Sequence, residues 1–278
     1  MYEMRTIVIG MEHQDRASAD LTMVVPTYNE RERIAELVDA LFRTCATQNL
    51  RLELVIVDDN SPDGTGALAD DLAKLHRIRV IHRSGKLGLG TAVVAGFAVA
   101  TADVVGVMDA DFSHPPSLVP RMLAIFRATN ADIVVASRYV PGGRTLNWPA
   151  TRRVLSRVAC LMARLLSPIR DAASGFFLIK REIGTSVSIK AGGFKICLEL
   201  LVRAWPRRLV ELPYQFDNRE LGESKMSTKE AMGYLAQLKD LYWLRLAGGQ
   251  RAPRVYQQLT SDTVDAMIRS NTTVSASR

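Results

Sequence analysis

Asp109-Ala110-Asp111 sets two carboxylates one residue apart, directly after the apolar run Val104–Met108. Carboxylates in that spacing can direct hard oxygens to one divalent cation. Mg²⁺ and Mn²⁺ suit such donors and commonly bridge to substrate phosphates. The same pair in a solvated loop would do no chemistry; its place at the end of a buried strand favours the metal reading. A competing motif is Gly85-Lys86-Leu87-Gly88-Leu89-Gly90, which follows a strand-like run and opens a helix-like one. That is the outline of a dinucleotide-binding turn. Val93 stands where its third glycine belongs, and two acids stand where one would read a ribose, so a tight turn explains the glycines equally well. No Walker loop is present. Cys45, Cys160 and Cys197 lie far apart without a C-x-x-C, and His13, His76, His82 and His114 are scattered. Neither a zinc site nor a disulfide framework is expected, which favours a reducing compartment.

The elements that must position these residues follow from hydrophobic spacing. Strands are expected over Leu21–Val25, Leu52–Val57, Arg79–His82, Val104–Met108 and Ile133–Ser137. Helices are expected over Glu30–Phe42, Gly66–Leu75, Thr91–Thr101 and Ser117–Ala128, the first with Ile34, Leu37, Val38 and Leu41 on one stripe. Short strands alternating with helices imply βαβ units and a parallel sheet, and ligands of such sheets lie beyond the carboxyl ends of the strands. Those ends carry Pro26-Thr27-Tyr28-Asn29-Glu30, Asp58-Asp59-Asn60-Ser61, Asp109-Ala110-Asp111 and Ser137-Arg138-Tyr139.

After Pro141-Gly142-Gly143 the alternation stops. Thr151–Leu166 reads as a basic amphipathic helix with Val154, Leu155, Val158, Leu161, Met162 and Leu165 on one stripe. Ser174–Lys180 and Leu209–Pro213 suit strands, and Phe194–Ala204 and Lys229–Leu246 suit helices. The chain therefore divides into a leader over 1–20, one α/β domain over 21–247 and a mobile tail over 248–278.

The 278 residues include 36 Lys and Arg against 29 Asp and Glu, a net charge of +7. The hydrophobic share of 47% is enough to bury a core and excludes a disordered chain. A basic balance suits nucleic acid, an anionic membrane or phosphorylated substrates alike, but no nucleic-acid motif accompanies it, so no nucleic-acid partner is expected. The longest uncharged stretch, Leu87–Ala102, is shorter than the roughly 18 apolar residues that span a bilayer. The N-terminal residues do not form a secretory signal pattern.

In order, Val25-Pro26-Thr27-Tyr28-Asn29-Glu30, Val57-Asp58-Asp59-Asn60-Ser61-Pro62-Asp63-Gly64-Thr65, Gly88-Leu89-Gly90 and Asp109-Ala110-Asp111 resemble family 2 glycosyltransferases. Ser137-Arg138-Tyr139, Asn147-Trp148-Pro149, Arg152 to Ser156, Ser174-Gly175-Phe176 and Gly222-Glu223-Ser224-Lys225 are similar to the polyprenyl (dolichyl) phosphate mannosyltransferase branch. The resemblance covers roughly Leu21 to Leu246. It implies a single GT-A domain, Rossmann-like with a mostly parallel central sheet flanked by helices, whose 21–140 half takes a nucleotide sugar and metal and whose 141–247 half, with C-terminal acceptor-side helices, takes the acceptor.

The same resemblance implies inverting transfer of mannose from GDP-mannose to a polyprenyl monophosphate, with UDP-glucose as an alternative donor and a sugar hydroxyl as an alternative acceptor. It assigns Pro26, Tyr28, Glu30, Asp58, Asp59, Lys86 and Ala110 to the nucleotide sugar. Asp109, Asp111 and Ser113 are implied to hold Mg²⁺ or Mn²⁺, with His114 a structural loop residue. Arg138, Arg152, Ser156, Arg219 and Lys225 are implied to bind the acceptor phosphate, and Asp109, Asp111, Arg138 and Lys225 to carry the transfer. Asp171 and Glu199 stand between positioning sugar hydroxyls and serving as ion-pair partners. An acceptor with a polyprenyl tail implies attachment to the cytoplasmic face of a membrane, peripherally or through an anchor subunit. The stripe of Thr151–Leu166 and the helix ending in Leu241-Tyr242-Trp243-Leu244 are the candidate contacts, unless they pack on the sheet.

Overall fold

A computed structural model describes residues 7–9, 18–189, 195–217, 228–248 and 252–275. The chain runs β1 (Ile7–Ile9), β2 (Leu21–Thr27), α1 (Arg31–Ala46), β3 (Leu52–Asp58), α2 (Thr65–Ala73), β4 (Ile78–His82), α3 (Leu89–Val99) and β5 (Val104–Val107). It continues through α4 (Leu118–Ala128), β6 (Ile133–Ser137), β7 (Arg144–Leu146), α5 (Ala150–Ala163), β8 (Phe177–Lys180), α6 (Arg181–Thr185) and α7 (Ile196–Arg203). The last elements are β9 (Arg208–Pro213), β10 (Gln215–Asp217), α8 (Thr228–Ala247), β11 (Val255–Gln258) and α9 (Ser261–Ser275).

Among the described residues the main sheet has nine strands in the order β1-β4-β3-β2-β5-β8-β6-β9-β11. β4, β3, β2 and β5 are mutually parallel, as are β6, β9 and β11; β8 enters antiparallel between the two groups, and β1 is an antiparallel edge. The period-2 geometry of a strand explains the two cores. On β2 and β3, Leu21, Met23, Val25, Leu54 and Ile56 face one layer, built with α1, α4 and α9. Val24, Val55 and Val57 face the other, built with α3, α7 and α8. Gly106 lets β5 lie against its neighbours, because a Cβ there would stand 2.3 Å from Met23 Sδ and 2.5 Å from Leu178 Cδ2. Pro26 does not end β2 as its missing N–H suggests. The ladder to β5 stops at Val24–Val107, so no partner strand needs the Pro26 amide on that side.

Residues 252–275, expected as a mobile tail, instead form β11, parallel to β9, and α9, packed on α4. Val264 is buried there with Met267 and Ile268 partly covered, and Arg121 pairs with Asp265. The expected leader likewise contributes β1 to the sheet edge. Two three-residue strands, β7 and β10, pair parallel in a separate small sheet that the sequence reading did not include.

Candidate functional site

The loops after β2, β3, β4, β5 and β6 converge at one rim of the sheet, where Gly175 and Phe176 lead into antiparallel β8. After β5, the Asp109 amide donates to His114 Nδ1 at 2.9 Å, and the Ser113 amide donates to Asp111 Oδ1 at 2.9 Å. Between them Phe112 takes φ +62°, a left-handed conformation that costs a bulky residue strain. His114 is buried, stacked on Phe176 with centroids 4.9 Å apart, and burial lowers its pKa, which favours the neutral ring. Its Nε2 lies 3.8 Å from Asp109 Oδ2. The loop holds its shape through these contacts, and Gly175 makes room for it: a Cβ there would lie 3.3 Å from His114 and 3.5 Å from both Asp109 carboxylate oxygens.

Three acids share this end. Burial raises the Asp109 pKa, and Asp111 adds to the rise against His114. Burial also pushes Glu30, at the start of α1, up to about 7; Asp111 and Asp109 reinforce the shift and Arg33 opposes it. Glu30 Oε2 and Ser113 Oγ are buried without hydrogen-bond partners. Among the described residues no three His, Cys, Asp or Glu side chains are placed to hold an ion by themselves. Two close carboxylates, a spare hydroxyl and a charge-repelled third acid nonetheless fit a hard cation that completes its shell from a diphosphate. Asp109 and Asp111 would hold such an ion, with Ser113 beside them.

On the nucleotide side, Asp58 is spent on its own loop. It accepts from Thr27 Oγ1 at 3.2 Å, Ser61 Oγ at 2.5 Å and the Ser61 amide at 3.0 Å. Asp59 meets Arg83 at 2.8 Å; burial raises its pKa, and Arg83 followed by the nearby Leu87 and Gly88 amides opposes the rise. The glycine-rich turn thus wraps a carboxylate, with Gly88 at φ +99° supplying the bend, which supports the tight-turn alternative for these glycines. Tyr28 is exposed and carries Lys86 Nζ 4.2 Å from its ring centroid. Pro26 sits at the end of β2, and Ala110 is buried between the two acids.

The cationic side is built around Arg138. Its backbone N–H and Nε donate to Asp171 Oδ2 at 3.0 and 2.7 Å, and Nη2 donates to Oδ1 at 2.6 Å. Burial opposes the charge on Arg138, but Asp171 overrides it and holds the pKa well above the usual value. The guanidinium lies 5.4 Å from the Trp148 centroid and 5.6 Å from that of Phe216. Arg138, expected to bind the acceptor phosphate, has its Nε–Nη2 edge taken by Asp171, which leaves its remaining N–H groups for a phosphate. Arg152 packs 4.1 Å over Trp148, and burial followed by repulsion from Arg138 lowers its pKa while Asp111 raises it. Ser156 accepts from the Tyr139 hydroxyl at 2.7 Å. Glu199 pairs with Arg203 at 2.8 Å and accepts from Gln237 at 2.9 Å, so it, like Asp171, is an ion-pair partner. Arg219 and Lys225 lie outside the described residues.

The structure adds residues to which the sequence reading gave no role in the site. Phe216 on β10, Tyr214 and Phe176 enclose His114, and Lys195 is close enough to Asp109 and Arg138 for burial and Arg138 to lower its pKa while Asp109 raises it. Only their aromatic or basic character was visible in sequence.

Beside this rim α5 turns its apolar stripe outward. Val154, Leu155, Val158, Leu161 and Met162 are all exposed, as is Leu165 just past the helix end, to 82%, while Cys160 and Ala163 face inward. The alternative that this stripe packs on the sheet is thereby excluded for α5. α8 lies alongside, with Tyr234 donating to the Ala159 carbonyl at 2.6 Å; Leu238 and Leu241 are buried, whereas Met232, Leu235, Trp243 and Leu246 are exposed. Among the described residues no helix is long and apolar enough to cross a membrane.

The family profile described as glycosyl transferase family 2 matches residues 22–202. A dolichol-phosphate mannosyltransferase of Pyrococcus furiosus is 39% identical over 222 residues, covering 78% of this chain and 62% of that protein. A polyprenol monophosphomannose synthase of Mycolicibacterium smegmatis is 40% identical over 230 residues, covering 77% and 85% respectively. A dolichol-phosphate mannosyltransferase of Saccharomyces cerevisiae is 38% identical over 236 residues, covering 81% and 88%. Among solved structures, glucosyl-3-phosphoglycerate synthase from Mycobacterium tuberculosis, in complex with Mn²⁺, UDP-glucose and phosphoglyceric acid, aligns with a TM-score of 0.58 at 19% identity, covering 84% of this chain and 82% of that one. That likeness establishes the shared fold.

Proposed function

The chain belongs to glycosyl transferase family 2, and from that premise we propose that it transfers mannose, with inversion, from GDP-mannose to a polyprenyl monophosphate. The product is polyprenyl phosphate mannose. The observation that carries this reading is the meeting of opposite charges on one rim: Asp109 and Asp111 at one end, Arg138 and Arg152 at the other, beside an exposed apolar helix. The names of the three relatives, all polyprenyl or dolichol phosphate mannose enzymes, support the same substrate class.

Cleaving the sugar–diphosphate bond leaves negative charge on the nucleotide and positive character on the sugar. A divalent cation, Mg²⁺ or Mn²⁺, held by Asp109 and Asp111, would neutralise that leaving charge without proton transfer. Asp59, Tyr28 and Lys86 line the nucleotide end, Pro26 and Ala110 form the backbone floor, and Asp58 fixes the loop that presents Asp59. Arg152 and the Nη1 end of Arg138 draw in the acceptor phosphate, with Ser156 holding Tyr139 beside them; Arg219 and Lys225 belong to the same phosphate set. Because that phosphate is already anionic, no general base is required. The exposed faces of α5 and α8 bring the enzyme to the cytoplasmic face of a membrane, where the lipid acceptor resides.

The test is transfer of radiolabel from GDP-mannose or UDP-glucose to a short-chain polyprenyl phosphate, with Mn²⁺ or with chelator. Mannolipid formation that depends on metal and on the acceptor phosphate is expected. Equal transfer to an acceptor lacking phosphate, or an undiminished rate for Asp111→Ala, would overturn the reading.

A further inference from the structure

Adjoining the transfer site at Arg138, a groove of about 500 Å³ runs between α5 and the segment after β6, lined in part by Arg138, Tyr139, Arg157, Leu161, Arg164 and Arg170. Arg157 and Leu161 stand at i and i+4 of α5, and its C-cap Arg164, at i+7 in helical conformation, continues the same face. Arg164 Nη1 donates to the Pro168 carbonyl at 3.0 Å, and the Arg157 guanidinium lies 6.0 Å from the Tyr139 centroid. Among the described residues none of Arg157, Arg164 and Arg170 forms a salt bridge. The nearby acids are already committed. Asp171 is taken by Arg138. Glu211 accepts from the Arg170 amide at 2.9 Å, the Asp171 amide at 2.8 Å and the Tyr256 hydroxyl at 2.7 Å. Three exposed guanidiniums therefore converge without a counter-ion.

We infer that this groove binds the phosphate headgroup of an anionic membrane phospholipid while its chains lie along the exposed stripe of α5. The charge calls for a phosphate, and the neighbouring Val158, Leu161 and Leu165 call for hydrocarbon; a bilayer supplies both from one molecule, and a nucleic acid or acidic protein would leave the stripe in water. The inference deepens the membrane attachment in the proposed function and rests on that reading for the lipid source. The groove shares Arg138 and Tyr139 with the acceptor site, Arg138 lying 5.4 Å and Arg157 6.0 Å from the Tyr139 centroid; Arg157, Arg164 and Arg170 are the part of it that the acceptor set does not use.

The test is co-sedimentation of the full chain with phosphatidylcholine vesicles, with and without phosphatidylglycerol. Wild type should prefer the anionic vesicles, and Arg157→Gln/Arg164→Gln/Arg170→Gln should lose that preference by about a hundred-fold, about five-fold per arginine. Its melting temperature and its transfer to a water-soluble short-chain acceptor should stay at the wild-type level, and Arg157→Gln alone should show the single five-fold step. Equal binding of wild type to both vesicles, a triple variant that keeps its preference, or release of wild type by millimolar inorganic phosphate would overturn the inference. Absence of transfer by wild type would defeat the proposed function while leaving the vesicle result standing.

Discussion

His114 holds Asp109 from behind: its Nδ1 accepts the Asp109 amide at 2.9 Å, while its ring stacks on Phe176 and burial keeps it neutral. A buried acceptor at this point fixes the turn that presents Asp109 and Asp111 together. His114→Phe keeps the stacking and deletes the acceptor, leaving a buried N–H unpaired. Positioning groups behind metal ligands typically cost about 10–100-fold in metal affinity when removed. The Mn²⁺ concentration for half-maximal transfer should rise by that factor, and His114→Asn, which restores an acceptor, should recover part of it. An unchanged metal requirement in His114→Phe would refute the positioning role.

Asp171 is fully buried and satisfies two guanidinium nitrogens and the backbone of Arg138. Asp171→Asn would strand a buried cation, which costs about 3–5 kcal/mol when one partner of such a pair is removed. Urea unfolding should report a loss of that size. Arg138→Met/Asp171→Leu removes both charges and should regain much of the stability while transfer stays abolished, because the proposed function gives Arg138 the acceptor phosphate as well as Asp171. Recovery of activity in the double variant would show that Arg138 is only structural.

Glu30 supplies a pH signature. Its carboxyl rises from 4.5 to about 7 through burial and the neighbouring Asp111 and Asp109. The folded state therefore holds this proton more tightly than the unfolded state. Its contribution is full below pH 4.5 and is lost as pH climbs through about 7. In chelator, Glu30→Gln should melt above wild type by a margin that widens as pH rises through that window. Mn²⁺ should shrink the margin by neutralising the acids around Glu30. A margin independent of pH would show that the three acids do not interact.

The acids of the rim were legible because each follows an apolar run whose pattern already marks a strand end: Asp58 and Asp59 after β3, Asp109 and Asp111 after β5. Their division of labour was not legible. That Asp58 serves its loop and Asp59 the glycine-rich turn depends on Ser61 and Leu87, which only the folded turn brings close. Asp171 reaches Arg138 from 33 residues away, across β7 and α5, a pairing that no local periodicity marks. β7 and β10 are three residues each, too short for alternation to register, and they carry Phe216 to the site. α9 has Val264, Met267 and Ile268 at helical spacing within a Ser- and Thr-rich segment of weak propensity; packing on α4 decides it. The stripe of α5 was visible in full, but only the fold shows that it faces outward.

That outward face sets the last expectation. Leu161 and Leu165 are 69% and 82% exposed, so neither contributes to the core. Leu161→Ser/Leu165→Ser should leave the melting temperature unchanged or slightly raised, since exposed substitutions away from special features shift stability by about 0.5 kcal/mol or less. Moving one leucine from water into hydrocarbon is worth about 1.5–3 kcal/mol. Binding to uncharged phosphatidylcholine vesicles should therefore fall by at least about ten-fold per leucine that inserts, since about 1.4 kcal/mol is a factor of ten. Transfer to a membrane-embedded long-chain acceptor should fall with it, while transfer to a soluble short-chain acceptor should not, because neither leucine is among the residues proposed to bind donor or acceptor phosphate. Flotation and the two transfer assays on one preparation separate the outcomes. Vesicle binding equal to wild type in the double variant would mean that α5 does not enter the bilayer.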